Sequence, residues 1–404
     1  MTNSHSQSLR LVSFLGIGEY KETTYKWREQ TFCTRFVAHT LAEILKPTEV
    51  LILGTSKSWD KHGDAITQHL GQYGVVRPTD DACLPPGASP NELWQQFEMI
   101  KQVLRGSAET RVILDITHGF RSQPFFASAA AAFVRAVDPV TPELQVVYGA
   151  FDAQQDNVTP IWDVTPFVEL VDWSHSLMLF LKTGRVASVA ADTRRLGRSL
   201  QKAWHLQGQI GEQPTLDKLG QALDAFGLDL ETVRTGSILL GRGNQTSSAQ
   251  ALLNELTRSG PQVAATIPPL ADVLIRIQEM VQVLVTTERL SQSVGQRALF
   301  ELGTLYWNMG RFSEAASTMR EAWITRYSCD KSDCPGMSSF SKEHREAAEK
   351  AWFEANELLS KEIGELRNDI NHAGYRDQPM PPATIKKRIK ELLDQLIPDD
   401  DKSE

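Results

Sequence analysis

Leu114-Asp115-Ile116-Thr117-His118-Gly119-Phe120-Arg121-Ser122-Gln123-Pro124 is the stretch on which the fold turns. Before it, Arg111-Val112-Ile113-Leu114 is a short β-branched, apolar run of the kind that forms a buried parallel strand. After it, Pro124 opens an alanine-rich helical pattern running to about Val137. The stretch is therefore a strand-loop-helix junction. Its loop packs an acid, a hydroxyl, an imidazole, a glycine and a guanidinium at the carboxyl end of a strand, where open α/β sheets hold their ligands. The helix that follows offers unpaired N–H groups and a partial positive charge at its first turn, so with Arg121 and His118 it predicts a seat for an anion, phosphate first. The alternative for the same residues is that Asp115 and Thr117 only tie the turn while His118 packs.

Working outward, Leu9 to Leu15 is mostly apolar and reads as a buried first strand ending at Gly16-Ile17-Gly18. A dinucleotide fingerprint would need its third glycine at position 21, which is Lys21, so NAD is discounted. From Trp27 onward Phe32, Phe36, Val37, Leu41, Ile44 and Leu45 recur at helical spacing, which predicts an amphipathic crossover helix stopped by Pro47. Val50-Leu51-Ile52-Leu53 is the second strand. Its loop, Gly54-Thr55-Ser56-Lys57-Ser58-Trp59, brings hydroxyls, backbone donors and a cation to a strand end and is expected to wall the same pocket. Ser89-Pro90-Asn91-Glu92 is a capping box that starts a helix with apolar face Leu93, Phe97, Ile100 and Leu104. The alternation of strand and helix predicts a doubly wound, largely parallel, Rossmann-like sheet. Val146 to Phe151 and Val158 to Val164 look like a hairpin closing that domain.

After Pro166 the pattern turns helical, with Phe167, Leu170, Val171, Trp173, Leu177, Phe180 and Leu181 in one stripe. The expected division is an α/β domain over 1–167 and an all-α domain over 168–404. The glycine-rich stretch 208–248 reads as linker or insertion. Ala298 to Trp323 resembles a single tetratricopeptide unit and, without a second copy, reads as a helical hairpin. Glu343 to about Asn371 is one long helical pattern, a mixed-charge run from Lys386 to Asp401 closes the chain, and the tail from about residue 398 is expected to be disordered.

Bulk properties narrow the function. A net charge of −8 over 404 residues argues against a protein that coats nucleic acid nonspecifically, so any such contact has to be local. There is no basic n-region with an apolar stretch, and the longest low-polarity run, Pro124 to Val134, is too short to span a bilayer; a cytoplasmic protein with no membrane contact is expected. Cys33, Cys83, Cys329 and Cys334 suit a reducing compartment, and one close pair does not complete a zinc set, so no metal site is expected. Asp60, Asp64 and Asp80-Asp81 read as solvated turns and caps. No Gly-x-Ser-x-Gly elbow, Walker loop or His-Glu-x-x-His occurs.

Arg367-Asn368-Asp369-Ile370-Asn371-His372 carries the chemistry that remains. Five residues apart, Arg367 and His372 differ by roughly 140° on an ideal helix and do not stack. Asn368 and His372 share a face, the long arginine can swing toward it, and Gly374 lets the helix end with the histidine at its terminus. Histidine titrates near neutrality and suits proton transfer, and a permanently charged, forked guanidinium suits holding developing negative charge.

Asp115-x-Thr117-His118-Gly119-x-Arg121-x-x-Pro124 resembles the signature of the CARF domain, the cyclic-oligoadenylate sensor of type III CRISPR systems. Phe14 to Tyr20 followed by Tyr25 resembles that family's first loop, and Tyr148 to Ala153 with Trp162 to Phe167 resembles the end of its sensor domain. The Arg367/His372 spacing resembles the Arg-x4-6-His motif of HEPN ribonucleases. The resemblance implies an N-terminal CARF domain, an all-α HEPN domain and a prokaryotic, ligand-activated, metal-independent endoribonuclease of single-stranded RNA. It implies His372 as acid/base, Arg367 as electrostatic stabiliser and Asn368 as orienting neighbour. For the ligand it points to Gly16, Gly18, Tyr25, Thr55, Ser56, Lys57, Thr117, His118, Gly119, Arg121 and Ser122. The activator is expected to be a ring of four adenylates, no cofactor is expected, and a twofold ring matches a homodimer or higher even oligomer. Two rival readings are a regulatory sensor whose helical domain docks a partner without catalysis, and a sensor that also degrades its ring through His118 or Thr117.

Overall fold

The computed structural model describes residues 8–119, 122–138, 140–206, 216–242, 244–266, 268–286, 289–328, 342–375 and 377–396. The chain divides into two compact units, Met1–Asp172 and Trp173–Glu404. Arg121, Cys329, Cys334, residues 207–215 and the tail from 397 lie outside the described residues.

The first unit runs β1 (Ser8–Leu15), β2 (Thr23–Trp27), β3 (Gln30–Thr34), α1 (Val37–Leu45), β4 (Glu49–Gly54), α2 (Ser56–Leu70), α3 (Pro90–Leu104), β5 (Thr110–Asp115), α4 (Gln123–Val137), β6 (Glu143–Gly149) and β7 (Val158–Asp163). Its seven strands form one mixed sheet in the order β3-β2-β7-β6-β5-β1-β4. β4, β1, β5 and β6 are parallel, and β7 returns antiparallel to β6, the hairpin that the sequence predicts. Alternate residues of the central strands feed two cores. Leu11, Leu15, Ile113 and Val147 pack with residues of α1 and α2, whereas Val12, Phe14, Val112, Leu114 and Val146 pack with residues of α3 and α4. This double burial explains the near-continuous apolar runs. The chain steps from β1 out to β4 and back across to β5, so the strand order reverses between β1 and β5. That reversal opens a crevice at the carboxyl ends of those two strands.

The helix expected from Trp27 is corrected. Thr23–Trp27 and Gln30–Thr34 form an antiparallel hairpin, and β2 joins the sheet alongside β7. The β-branched and aromatic content of both runs favours strand, and Arg28 (φ 57°) makes the turn without glycine or asparagine, so the usual turn signal is missing. The helix proper starts at Val37. The sheet is consequently mixed, although four of its six pairings, β1–β4, β1–β5, β5–β6 and β2–β7, are parallel. At α3, Ser89 Oγ accepts the Glu92 N–H (3.3 Å), but the Glu92 carboxylate accepts from Gly87 and Ala88 (2.9 Å each), tying down the loop ahead of the cap.

Beyond the sheet come α5 (Thr165–Thr183), within which the two units meet in sequence, and then α6 (Ala187–Leu206), α7 (Leu216–Glu231), α8 (Thr235–Leu239), α9 (Ser248–Thr266), α10 (Pro268–Gln282), α11 (Ser293–Asn308), α12 (Phe312–Arg326), α13 (Lys342–Ala355), α14 (Glu357–Asn371) and α15 (Pro382–Asp394). Two expectations change here. The stretch read as a linker contains α7, whose Leu216, Leu219, Leu223, Phe226 and Leu230 are buried. Its glycines serve close packing: a Cβ on Gly220 would stand 2.4 Å from Arg194 Cγ, and one on Gly227 only 1.9 Å from Val186 Cγ1. The long helix expected from Glu343 breaks at Asn356 (φ −143°, ψ 55°), whose side-chain amide donates to the Tyr327 hydroxyl. α11 and α12 form the expected helical hairpin, joined at Gly310 (φ 70°). No helix among the described residues is long and apolar enough to cross a membrane.

Gly227→Ala is expected to lower stability by about 1–3 kcal/mol, the usual cost of overpacking a tight contact. A urea-denaturation midpoint equal to that of the wild type would show that α7 can shift without penalty.

Candidate functional site

The crevice between β1 and β5 is a cleft of about 470 Å³. Gly16, Ile17, Gly18, Glu19, Tyr20 and Lys21 line it from the loop after β1, Thr117, His118 and Gly119 from the loop after β5, and Tyr148, Gly149 and Phe151 from the end of β6. Tyr25 and Arg35 complete the wall from the β2–β3 hairpin and its exit. This volume is in the range of small-molecule sites.

Asp115 builds the floor. Fully buried, its carboxylate accepts from Ser13 Oγ (2.6 Å), from the Thr117 N–H (3.0 Å) and from the Thr117 hydroxyl. Thr117 Oγ1 in turn accepts the Gly149 N–H (2.8 Å), so one carboxylate and one hydroxyl join the ends of β1, β5 and β6. Both residues tie the turn, and Thr117 also lines the cleft. His118 is likewise engaged, its Nε2 accepting the Val37 N–H (3.4 Å) at the first turn of α1, which leaves the ring proton on Nδ1. Burial holds this imidazole below its ordinary value of 6.5, opposed by nearby Asp115 and reinforced by His62. It is therefore neutral at neutral pH; it lines the cleft, whereas Arg121, the other side chain of the expected anion seat, lies outside the described residues.

Tyr20 organises the first loop. Its hydroxyl accepts the Gly16 N–H (2.7 Å) and donates to the Gly16 carbonyl (2.9 Å), while its ring lies 4.3 Å from His118 and 4.5 Å from His62. From α2, His62 Nε2 donates to the Gly18 carbonyl (2.8 Å) and Lys61 Nζ to the Ile17 carbonyl (2.9 Å). Gly16 has to be glycine, since a Cβ there would stand 2.4 Å from the His118 carbonyl oxygen; at Gly18 the space is open. Two cations face the cleft, Lys21 and half-buried Arg35, and neither is in an ion pair among the described residues. The Arg35 guanidinium lies 5.1 Å over the Phe36 ring. Cations beside the aromatic side chains of Tyr20, Tyr148 and Phe151 can hold phosphate and stack bases, while the ring of Tyr25 is buried in the core beneath them.

The structure does not bring Thr55, Ser56 and Lys57 into this cleft. Thr55 is the buried N-cap of α2, exchanging hydrogen bonds with Ser58, and all three residues line a separate cavity of about 820 Å³ with Leu84, Pro85 and Trp94. The single pocket expected from sequence is two. Ser122 is exposed at the N-cap of α4, outside the cleft wall. Sequence reasoning passed over Tyr20, Lys21, Arg35, Lys61, His62, Tyr148 and Phe151 as site residues. Tyr20, Tyr148 and Phe151 were within reach, because they lie in the segments that carry the family resemblance. Arg35 was not, because its position depends on the unpredicted hairpin.

In the second unit, α14 buries Ser360, Ile363, Leu366 and Asp369 and turns Asn368 and His372 outward. His372 is the C-cap, its N–H donating to the Asn368 carbonyl (2.9 Å), and the left-handed Ala373 (φ 53°) and Gly374 (φ 70°) end the helix as anticipated. Asp369 Oδ2 accepts the Met380 N–H (3.1 Å), pinning the chain that follows. The side chains of Arg367, Asn368 and His372 have no hydrogen bond or ion pair among the described residues. No group of three or more metal-ligating side chains occurs among the described residues.

Gly16→Ala is expected to cost about 1–3 kcal/mol by driving a methyl into the His118 carbonyl, while Gly18→Ala stays within about 0.5 kcal/mol of wild type in urea denaturation. Equal midpoints for the two variants would remove the close approach at Gly16. A pH dependence follows from the depressed histidines His118 and His39, the latter lowered by burial and by stacked His69. Each contributes fully above the unfolded value of 6.5; as pH falls below it the unfolded chain takes up protons first, so stability is lost toward the lower native values. Stability measured between pH 7 and about pH 5 should fall less steeply for His118→Gln than for wild type, and parallel curves would contradict the assignment.

No protein-family model matches the chain. Over 253 aligned residues it is 21% identical to the CRISPR-associated protein MJ1674 of Methanocaldococcus jannaschii, a match that covers 48% of this chain and 40% of that protein. The chain thus spans less than half the length of the curated relative it matches, and its distant similarity is to a CRISPR-associated protein.

Proposed function

We propose that this protein is a cyclic-oligoadenylate-activated, metal-independent endoribonuclease of single-stranded RNA acting in type III CRISPR defence. The observation that carries the reading is the end of α14, where Arg367, Asn368 and His372 have no partner among the described residues although the helix around them is packed and capped. Polar groups that do no work for the fold, of types suited to acid/base and phosphorane chemistry, are what a hydrolytic site leaves free. His372 moves the proton at the 2′-hydroxyl or the leaving 5′-oxygen, Arg367 holds the charge that develops on phosphorus oxygens, and Asn368 orients the pair.

The sensor half of the reading is supported by the cleft, with Lys21 and Arg35 unpaired among the described residues and with aromatic walls, and by the similarity to a CRISPR-associated protein. A second copy of the chain is supported by the solvent face of α4, where Phe125 (72% exposed), Phe133 (42%) and Val137 (58%) lie along one side. A contiguous exposed apolar stripe of this kind marks an interface, and a ring with twofold symmetry suits an isologous one. Activation is then a shift toward the dimer geometry in which the two His372 sites are competent. Ring cleavage by His118 or Thr117 is not favoured, because both side chains are committed to backbone partners.

The test is cleavage of labelled single-stranded RNA in EDTA with cyclic tri-, tetra- or hexa-adenylate. Wild type should cut with one ring, cyclic tetra-adenylate first, and His372→Ala should be slower by about 10²–10⁴-fold. RNA left intact with every ring would move the reading to a regulatory sensor with a non-catalytic helical domain.

A further inference from the structure

The groups around the end of α14 extend the site along one side. Ser313, in the first turn of α12, donates from Oγ to Asn371 Oδ1 (3.4 Å), next to His372. The ring of its neighbour Phe312 lies 5.9 Å from Lys386 Nζ on α15, and the same ammonium lies 5.9 Å from the Trp307 ring at the end of α11. Lys390, one turn further on, lies 5.5 Å from Trp307. A chain of contacts therefore runs from His372 through Asn371, Ser313 and Phe312 to Lys386 and Trp307.

Lys386 differs from the cations beside it. Lys387, Arg388 and Lys390 are paired with Glu391 (3.5 Å), Glu362 (2.6 Å) and Asp394 (2.6 Å), whereas Lys386 is exposed and has no carboxylate partner among the described residues. In a chain of net charge −8, one unneutralised ammonium fixed over aromatic rings is a local site for an anion. The amino end of α12, with its partial positive charge, adds donors on the same side. Aromatic faces with a cation tracking the backbone are the elements that hold single strands without reading sequence.

We propose that Lys386, Phe312 and Ser313 form a substrate strip beside the Arg367/His372 end of α14. In it Lys386 takes a phosphate flanking the cleaved bond, Ser313 holds Asn371 beside His372, and Phe312 offers its face to the adjoining base. The inference rests on the ribonuclease reading of α14, and it makes Lys386 a positioning residue that acts on substrate binding. The bland alternative is that the Lys386 stem merely covers apolar surface.

Lys386→Met keeps that cover and removes the charge; Lys386→Arg keeps both. In the activated full-length protein, KM for a 12-nucleotide single-stranded RNA should rise about tenfold in Lys386→Met with kcat within about twofold, and return toward wild type in Lys386→Arg. Anisotropy of the same fluorescein-labelled RNA on His372→Ala, with activator and without turnover, should show a weaker Kd when Lys386→Met is added. Its dependence on salt should be shallower by about 0.7 in the log-log slope, the signature of one lost phosphate contact. If no RNA is cut at all, the ribonuclease reading fails while the anisotropy still decides the strip. Equal Kd and slope with and without Lys386, or no RNA binding, overturns it.

Discussion

A single buried carboxylate sets the geometry of the first unit. Asp115 is fully withdrawn from water, and a polar group in that position is tolerated because three donors meet it, from Ser13 on β1 and from the backbone and hydroxyl of Thr117. Hydrogen bonds to a charged group are worth about 1.5–3 kcal/mol each, and leaving such a group unpaired costs more. The three parallel strands whose ends it joins cannot slide past one another without breaking that shell. The loop after β5 is consequently held against the loop after β1, close enough that Gly16 can carry no side chain.

Around this floor the cleft divides its polar groups into two kinds. Some are spent on the fold: the Tyr20 hydroxyl on Gly16, His62 on Gly18, His118 on the first turn of α1. The neutral imidazole of His118 serves as acceptor for a helix that has no side-chain cap of its own. Others, Lys21 and Arg35, are left without an ion pair among the described residues and place positive charge at the cleft wall. The second unit shows the same division at one helix end: Asp369 is buried and fixes the following chain, while Arg367, Asn368 and His372 around it are left to solvent. Rigid placement and chemical availability thus sit on adjacent residues of one turn.

Where sequence reasoning went astray, tertiary pairing was the cause. Gly220 and Gly227 look like the punctuation of a linker until the helices they sit between are known; a missing Cβ then means backbones in contact. The Trp27–Phe36 stretch shows helical spacing of aromatics, but the sheet edge offered by β7 recruited it as a hairpin, an outcome that depends on residues 134 positions away. Thr55 carries the chemistry of a ligand contact and is used instead to cap its own helix, a choice visible only from Ser58's reciprocal bonds.

Sequence by itself determined the strand-loop-helix at Asp115, the two-faced burial of the central strands, the β6–β7 hairpin, the α11–α12 hairpin and the termination of α14 at His372. All of these rest on local periodicity, caps and left-handed turn positions, which are written in consecutive residues. Only the tertiary structure decided that β2 and β3 extend the sheet, that Arg35 reaches the cleft while Thr55, Ser56 and Lys57 line another cavity, and that His118 accepts from α1. Those outcomes depend on which strand edges pair and where a helix start lands, and long-range register is not encoded in any single stretch.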